Sequence, residues 1–278
     1  MSEIDLATLK PIIAAIEAEF ERAPPTIAVI GLSGVGKSSI VNAMFGTRRQ
    51  VSATTRGTSR FSKSIFSRAS TRVEGAPVNC TLRVIDAPGL GEDTELDDNY
   101  LDRYRRHLKE ADVALWVLAA RNRALALDQQ YLRQLAGDLP NLVIGINQVD
   151  LVDPLTWNEQ TNLPSREQSA NIKAIVEDRR EKLTKLLGPA LRDDNIPAVA
   201  ISAMRYYNLQ ALYNACLQRA PQRRRWMFEL LKSFSTQDWL AQAKGLSADQ
   251  KKLLAERYIS SDAKLRLDDL PMPQVKPS

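Results

Sequence analysis

The sequence predicts a three-layer α/β fold, with a mostly parallel sheet covered by helices on both faces and further helices added at each end. Short apolar runs typical of buried strands alternate with helical patterns from residue 26 to residue 219. The first run, Ile27–Ile30, leads directly into a glycine-rich loop and then a helical stretch. Strands that alternate with helices in this way imply a parallel sheet whose two faces are both buried.

Length and composition are those of a globular protein. The chain has 278 residues, of which 44% are hydrophobic and 26% are charged, enough to fill a sizeable core. Its longest apolar run, Val113–Ala120, is far shorter than the roughly 20 residues that span a bilayer. The first residues also lack the features of a secretory signal. We therefore expect no transmembrane segment and a cytoplasmic location, with peripheral membrane contact left open.

The scarcity of histidine and cysteine excludes two classes of site. The chain has two cysteines, Cys80 and Cys216, without CxxC spacing, and one histidine, His107. Metal clusters of Cys and His, and His-based triads, therefore lack their ingredients, and we expect both cysteines to be packed thiols. The net charge of +5 is unevenly distributed, because cations crowd residues 48–72 and carboxylates crowd residues 92–98.

The elements of the fold are expected in a definite order. An N-terminal helix over 4–20 ends before Pro24 and contains Pro11, which a helix tolerates only at its start or at a bend. Two strands should form an antiparallel hairpin around the turn Glu74–Pro77. Strands are expected at 61–67, 78–85, 112–119, 141–146 and 197–201, and later helices at 39–46, 97–109, 126–136, 168–187, 206–219, 222–235 and 236–259.

These elements divide the chain into four parts. We expect an N-terminal helix in residues 1–24 and the α/β domain in residues 25–220, with an insert at 151–190. A C-terminal helical segment covers 221–263, and a proline-rich tail, 264–278, is expected to be disordered. Arginines and apolar residues from Arg223 to Phe234 have helical spacing, which usually indicates packing on a core.

The glycine-rich loop carries the strongest motif. Residues Gly31–Ser38 read Gly-Leu-Ser-Gly-Val-Gly-Lys-Ser, the G-x-x-x-x-G-K-S pattern of a phosphate-binding loop. Glycines let the backbone turn its N–H groups inward, Lys37 adds a positive charge, and Ser38 offers a hydroxyl to Mg²⁺. The sequence therefore predicts binding of a nucleoside triphosphate.

Three further motifs at strand ends indicate which nucleotide is bound. In Asp86-Ala87-Pro88-Gly89, the carboxylate can hold Mg²⁺ through water, and the glycine N–H can reach the γ-phosphate. In Asn147-Gln148-Val149-Asp150, the last carboxylate can accept the two N–H donors of guanine, which adenine lacks. Ser202-Ala203-Met204 resembles a nucleotide-binding loop in which the amide at the Ala203 position would contact the guanine oxygen. The combination favours GTP over ATP.

These motifs and a threonine-rich segment resemble the five motifs of translation-factor-class (TRAFAC) GTPases, specifically the Era/TrmE-like group, over residues 25–219. The chain is also similar to bacterial members of that group through a Thr-Arg-Gly segment and the stretch formed by Leu163–Ser165, Gln168 and Asn171–Ile172. The resemblance implies a P-loop GTPase fold, GTP and GDP as ligands, Mg²⁺ as cofactor, and hydrolysis of GTP to GDP and phosphate.

The resemblance further implies a switch threonine that binds Mg²⁺ only when GTP is present. Thr55 is preferred and Thr54 and Thr58 are alternatives, because the polar stretch around them fixes no register. The predicted catalytic residues are Lys37, Thr55 and Gly89; the metal ligands are Ser38, Thr55 and Asp86; and the nucleotide-binding residues are Gly31, Ser33, Gly34, Val35, Gly36, Lys37, Ser38, Ser39, Asn147, Gln148, Asp150, Ser202, Ala203 and Met204.

The sequence departs from the family pattern at three positions. Gln148 replaces the lysine whose stem packs across the base, so we expect weaker binding without loss of specificity. Leu90 replaces the glutamine that orients water in Ras-like proteins, so intrinsic hydrolysis should be slow. Gly34 stands where some relatives have a K⁺-binding asparagine, so another group or a partner must assist. Arg56 and Arg60 are candidates, although solvated charges are the commoner role of such residues.

Three functions fit a chain with these motifs. The first is a hydrolytic switch that binds ribosomal RNA or a ribosomal precursor, favoured by the Era-like motifs and the basic runs 103–106 and 222–226. The second is a dynamin-like or immunity-type GTPase at a membrane surface. The third is a nucleotide-gated binding module that hydrolyses very slowly. A nucleotide-dependent homodimer is compatible with each function.

Overall fold

The structure is a computed structural model that describes residues 6–45, 61–73, 76–91, 97–122, 125–191 and 195–232. Several predictions fall outside these ranges and stay predictions. They concern Thr54, Thr55 and Thr58, the arginines Arg56 and Arg60, the helix at 236–259 and the tail at 264–278.

A six-stranded sheet forms the centre of the fold. Its strands are β1 (Thr26–Ile30), β2 (Ser62–Val73), β3 (Ala76–Asp86), β4 (Val113–Ala119), β5 (Val143–Asn147) and β8 (Ala198–Ala200), and a separate hairpin consists of β6 (Trp157–Asn158) and β7 (Leu163–Pro164). The strand order in the sheet is β2-β3-β1-β4-β5-β8, and neighbouring strands are parallel except for β2, which runs antiparallel to β3. Every residue of β1 and β5 is buried, as expected for apolar central strands covered on both faces.

Helices flank the sheet, which confirms the predicted α/β class. They are α1 (Leu6–Arg22), α2 (Lys37–Phe45), α3 (Asp97–Leu108), α4 (Ala126–Leu135), α5 (Arg166–Leu191), α6 (Leu209–Arg219) and α7 (Arg225–Lys232). In the segments that the structure describes, none of these helices combines the length and apolar character needed to cross a bilayer.

Several element boundaries differ from those predicted. Val73 pairs with Ala76, so Ala76 and Pro77 belong to β3 and not to the hairpin turn. Pro11 lies inside α1, which begins at Leu6, and so does not start the helix. Helix α6 begins at Leu209 because the preceding residues form a loop closed by a bridge between Ser202 and Tyr207. The hairpin β6–β7 lies in the insert at 151–190, where no strand was expected.

The two end helices pack on the α/β core and on each other. Ile16 and Phe20 of α1 are buried, and the Phe20 ring meets the Trp226 ring of α7 edge to face at 5.7 Å between centroids. Arg224 binds the carbonyl oxygen of Ala23 at 2.8 Å, and its Nε lies 2.8 Å from an Asp112 carboxylate oxygen. The apolar residues of α7 therefore serve packing.

Both cysteines are buried free thiols. Complete burial raises the pKa of the Cys216 thiol to about 12, so this sulfur stays protonated and unreactive at neutral pH. This agrees with their predicted role as packed side chains.

Candidate functional site

The phosphate-binding loop joins β1 to α2 in the predicted manner. Gly34 and Gly36 adopt φ angles of +76° and +90°, in the left-handed region that favours glycine. A Cβ on Gly36 would lie 2.4 Å from Nδ2 of Asn147, so the missing side chain leaves room for this asparagine. The loop can therefore present its backbone N–H groups to an anion at the N-terminus of α2.

Lys37 is anchored at the base of the loop. Its ammonium group donates to the carbonyl oxygens of Gly31 and Leu32 at 3.1 Å and 2.8 Å. Only 6% of the residue is exposed. A buried cation held by neutral carbonyls provides a strong positive potential for phosphate oxygens.

Ser38 and Asp86 converge beside the loop. Asp86 pairs with Val29 across the neighbouring strands β3 and β1, which places its fully buried carboxyl near the start of α2. The Ser38 hydroxyl donates to an Asp86 carboxylate oxygen at 3.1 Å. Hydroxyl and carboxylate oxygens are the ligands that Mg²⁺ prefers, so this pair fits the metal.

The loop after Asp86 closes directly on the phosphate-binding loop. The Leu90 amide donates to the Gly31 carbonyl, and the Ser33 amide donates to the Leu90 carbonyl, both at 3.2 Å. A Cβ on Gly89 would lie 2.7 Å from the Ser33 Cα, so only glycine permits this approach. The Leu90 side chain is 3% exposed and belongs to the core, where an aliphatic group cannot orient water.

Asn147 connects three loops of the site. Its Nδ2 donates to the Val35 carbonyl at 3.0 Å, and its Oδ1 accepts the Ala203 amide at 3.1 Å. The side chain is almost fully buried. The phosphate loop and the loop that begins at Ser202 are thereby held at one edge of the sheet.

The segment after Asn147 turns sharply. Gln148 has a φ of +64°, and its side-chain amide donates to the Gly34 carbonyl at 3.2 Å. Asp150 lies half-buried in a 3-10 turn, Val149–Leu151. The Val149 amide donates to the Ile201 carbonyl at 3.3 Å, which fastens this turn to the end of β8.

The start of α5 supports the same turn, a role that sequence reasoning missed. The buried Gln168 side-chain amide donates to the carbonyls of Asp150 and Val152 at 3.3 Å and 2.8 Å, and Asn171 donates to the Asp153 carbonyl at 2.8 Å. Ser165 caps the helix by accepting the Gln168 amide at 3.1 Å. The spacing Ser-x-x-Gln is the signal of a capping box and could have identified this helix start.

The loop after β8, residues 201–208, contributes backbone groups to the site and is called the Ala203 loop below. Ser202 and Ala203 are buried, and the Ser202 hydroxyl accepts the Arg205 amide at 3.1 Å. Met204, by contrast, is 76% exposed, so its side chain contributes little to the loop. All predicted site residues that the structure describes lie at this end of the sheet, in the loops, at the last positions of β3 and β5, or in the first turn of α2.

Comparison with known proteins finds a family match over part of the chain. Residues 26–148 match the family described as "50S ribosome-binding GTPase". These residues form a GTPase domain, which is similar to GTPases of the Era/TrmE-like group.

Relatives of this GTPase domain are found among curated proteins. YfjP of Escherichia coli (strain K12) is 33% identical over 158 residues, which cover 55% of this chain and 50% of YfjP. The tRNA modification GTPase MnmE of Natranaerobius thermophilus is 28% identical over 156 residues, which cover 56% of this chain and 32% of MnmE. The chain thus spans half or less of these relatives.

Among solved structures, Era in complex with MgGDPNP and nucleotides 1506–1542 of 16S ribosomal RNA has a similar fold. The TM-score is 0.50 at 22% sequence identity, and the match covers 72% of this chain and 58% of the Era chain. The likeness supports the P-loop GTPase fold.

A further buried carboxyl of the GTPase domain lies on α4. Asp128 on α4 is 1% exposed, and its Oδ1 accepts the indole N–H of Trp116 at 3.0 Å. Burial raises the pKa of Asp128 to about 6, although the Trp116 hydrogen bond and the charges of Arg179 and Lys37 oppose the increase. The folded state therefore retains a proton that the unfolded chain, with a pKa of 3.8, releases.

We expect Asp128→Asn to stabilise the protein at neutral pH. Stability of the native chain should fall between about pH 4 and pH 6 and then stay at the lower value, because the buried carboxyl must ionise. At pH 7.5, the free energy of unfolding of the variant should exceed that of the native chain by up to about 3 kcal/mol. This difference should shrink toward zero near pH 4. Urea unfolding at both pH values measures this difference.

Asp178→Asn is the matched control for this prediction. Asp178 is partly exposed, and hydrogen bonding to Lys182 lowers its pKa, so removing its charge should give no gain at neutral pH. A gain for Asp128→Asn that does not change with pH would contradict the assignment of a raised pKa.

Proposed function

We propose that this chain binds GTP and GDP with Mg²⁺, hydrolyses GTP to GDP and phosphate, and acts as a nucleotide-controlled switch. The observation that supports this most is the side chain of Asn147, which joins the phosphate loop to the Ala203 loop beside Asp150. The phosphate loop and the Asp150 carboxylate would then bind the triphosphate and the guanine base of the same nucleotide. We also propose that the chain consists of an N-terminal helix (1–24), the α/β domain (25–220), a C-terminal helical segment (221–263) and a tail (264–278).

The proposed roles follow from the chemistry of each group. Ser38 and Asp86 would hold Mg²⁺, which neutralises phosphate charge when bound, and Thr55 would complete its ligands in the GTP state. Lys37 and the amides of the phosphate loop would bind phosphate oxygens. Gly89 would donate its N–H to the γ-phosphate, and Asp150 would accept the guanine N–H groups.

Hydrolysis by the isolated chain is expected to be slow. Leu90 offers no hydrogen bond to water, so the turnover rate should be on the order of 10⁻⁴ to 10⁻³ per second, the range of GTPases without an assisting group. Phosphate release from GTP, with ATP as control, measures this rate. Repeating the assay with K⁺ in place of Na⁺, and at increasing protein concentration, tests for a bound cation or a homodimer as the missing group.

A ribosomal RNA or ribosomal precursor is the proposed partner of the switch. The family description and the RNA bound to the Era structure support this proposal. Exposed arginines on α3 and before α7, such as Arg103, Arg106 and Arg223, add positive potential. The buried apolar side chains of α7 count against the membrane alternative.

Cosedimentation tests the partner. The chain should pellet with ribosomal subunits in a manner that differs between GDP and a non-hydrolysable GTP analogue, and should stay in the supernatant with anionic liposomes. The opposite pattern would favour a membrane role. Nucleotide-dependent binding with no measurable GTP turnover would favour the gated binding module, which Leu90 and Gln148 permit.

A further inference from the structure

The hairpin β6–β7 lies beside the loop that begins at Ser202 and contacts it through Asn162. This residue precedes β7, is 3% exposed and adopts a φ of +52°. Its Nδ2 donates to the Arg205 carbonyl at 2.8 Å, and its Oδ1 accepts the Trp157 indole N–H at 3.1 Å. One buried amide therefore joins both strands of the hairpin to the Ala203 loop.

Further contacts fix the hairpin against the same loop. The Trp157 ring meets the Tyr207 ring edge to face at 5.1 Å, and the Arg205 guanidinium lies 6.0 Å from the Trp157 centroid. Arg205 also forms an ion pair with Glu159 of the hairpin. These contacts lie beside the loop, and the half-buried backbone carbonyl of Arg205 accepts its hydrogen bond from Asn162.

The position of the Arg205 carbonyl affects the position of the Ala203 amide, because both lie in a tightly closed turn. The Ser202 and Tyr207 backbones bond each other at 2.9 Å and 3.2 Å. Within this closed turn, a shift at Arg205 also shifts the nearby Ala203 amide. A displaced donor no longer meets its acceptor, because hydrogen bonds weaken steeply with distance and angle.

We propose that Asn162 is a positioning residue for base recognition. It holds the loop that carries the Ala203 amide, which donates to Asn147 Oδ1 at 3.1 Å in this structure and would donate to the guanine O6 when the base is bound. This inference rests on the proposed function, since it requires guanine at Asp150 and Ala203. Asn162 itself touches no nucleotide and acts through the Arg205 carbonyl. The insert hairpin thereby tunes how tightly the base is held.

The test compares Asn162→Asp with the native chain on two nucleotides. Aspartate retains the oxygen that accepts from Trp157 and tolerates the left-handed backbone, but it loses the N–H that binds Arg205. The probes are GDP and 6-thio-GDP, whose sulfur is a weak acceptor while its groups facing Asp150 are unchanged. We expect the Kd for GDP to rise about tenfold and that for 6-thio-GDP at most about twofold.

Asn158→Ala is the matched control. Asn158 is an exposed asparagine of the same hairpin whose side chain accepts the Thr161 amide, a hydrogen bond within the hairpin. Its substitution should leave both Kd values unchanged. Asn162→Gly removes both side-chain hydrogen bonds but keeps the backbone conformation. It should weaken GDP binding as much as Asn162→Asp does. A weaker affinity in Asn162→Asp alone would instead come from repulsion between its carboxylate and the Arg205 carbonyl.

The outcomes separate this inference from the proposed function. Equal weakening of GDP and 6-thio-GDP binding would mean that Asn162 only stabilises the hairpin, and it would overturn the positioning role. Unchanged GDP affinity in both Asn162 variants would overturn it as well. Failure of the native chain to bind GDP would instead contradict the proposed function.

Discussion

Lys37→Ala is expected to abolish nucleotide binding at micromolar concentrations, raising the Kd for GDP and GTP by at least about a hundredfold. The ammonium group is buried beneath the phosphate loop on the Gly31 and Leu32 carbonyls. Alanine removes charge-assisted hydrogen bonds to phosphate, each of which contributes about 1.5 to 3 kcal/mol. Fluorescence titration with a labelled GDP measures the change.

Lys185→Ala is the control for the loss of a lysine. Lys185 is exposed on α5, and its removal should leave the Kd unchanged. Circular dichroism melting without nucleotide should show Lys37→Ala folded. Native-like GDP affinity in the folded variant would contradict the assignment of this loop to phosphate.

Asp150→Asn is expected to exchange guanine for xanthine as the preferred base. The substitution replaces an acceptor with a donor, so the guanine N–H groups lose their partner while the additional oxygen of xanthine gains one. GTP affinity should fall at least about a hundredfold, and XTP should bind the variant better than GTP does. Competition titrations with GDP and XDP measure the ratio.

Asp153→Asn provides the comparison for this substitution. Asp153 follows closely in the chain with an exposed side chain, and its backbone carbonyl accepts a hydrogen bond from Asn171. Its substitution should leave base preference unchanged. Unaltered GTP affinity in Asp150→Asn would show that the base site is assigned wrongly.

The sequence predicted the parts of the site that depend on local backbone geometry, namely the glycine positions of the phosphate loop and the residues at strand ends. Gly34 and Gly36 adopt positive φ angles that the glycine pattern requires, and Asp86 and Asn147 are the last residues of their strands. Apolar runs such as Val113–Ala119 identify central strands because burial on both faces leaves no polar positions. Pattern and structure therefore agree where local rules dominate.

The supporting contacts could not be predicted in the same way. The strands β6 and β7 have two residues each, too few for an alternation to be recognised. Asn162 and Arg205 are distant in sequence, and nothing local indicates that they meet. Asn147 was predicted as a base ligand, but its bonds to Val35 and Ala203 depend on the three-dimensional approach of three loops.

Calorimetric titration of the native chain with GDP, GTP, ADP and ATP in the presence of Mg²⁺ tests the central claim most directly. The account predicts saturable binding of both guanine nucleotides, and adenine nucleotides at least about a thousandfold weaker, because Asp150 would face no N–H pair. Tight binding of ADP or ATP with no preference for guanine would contradict it.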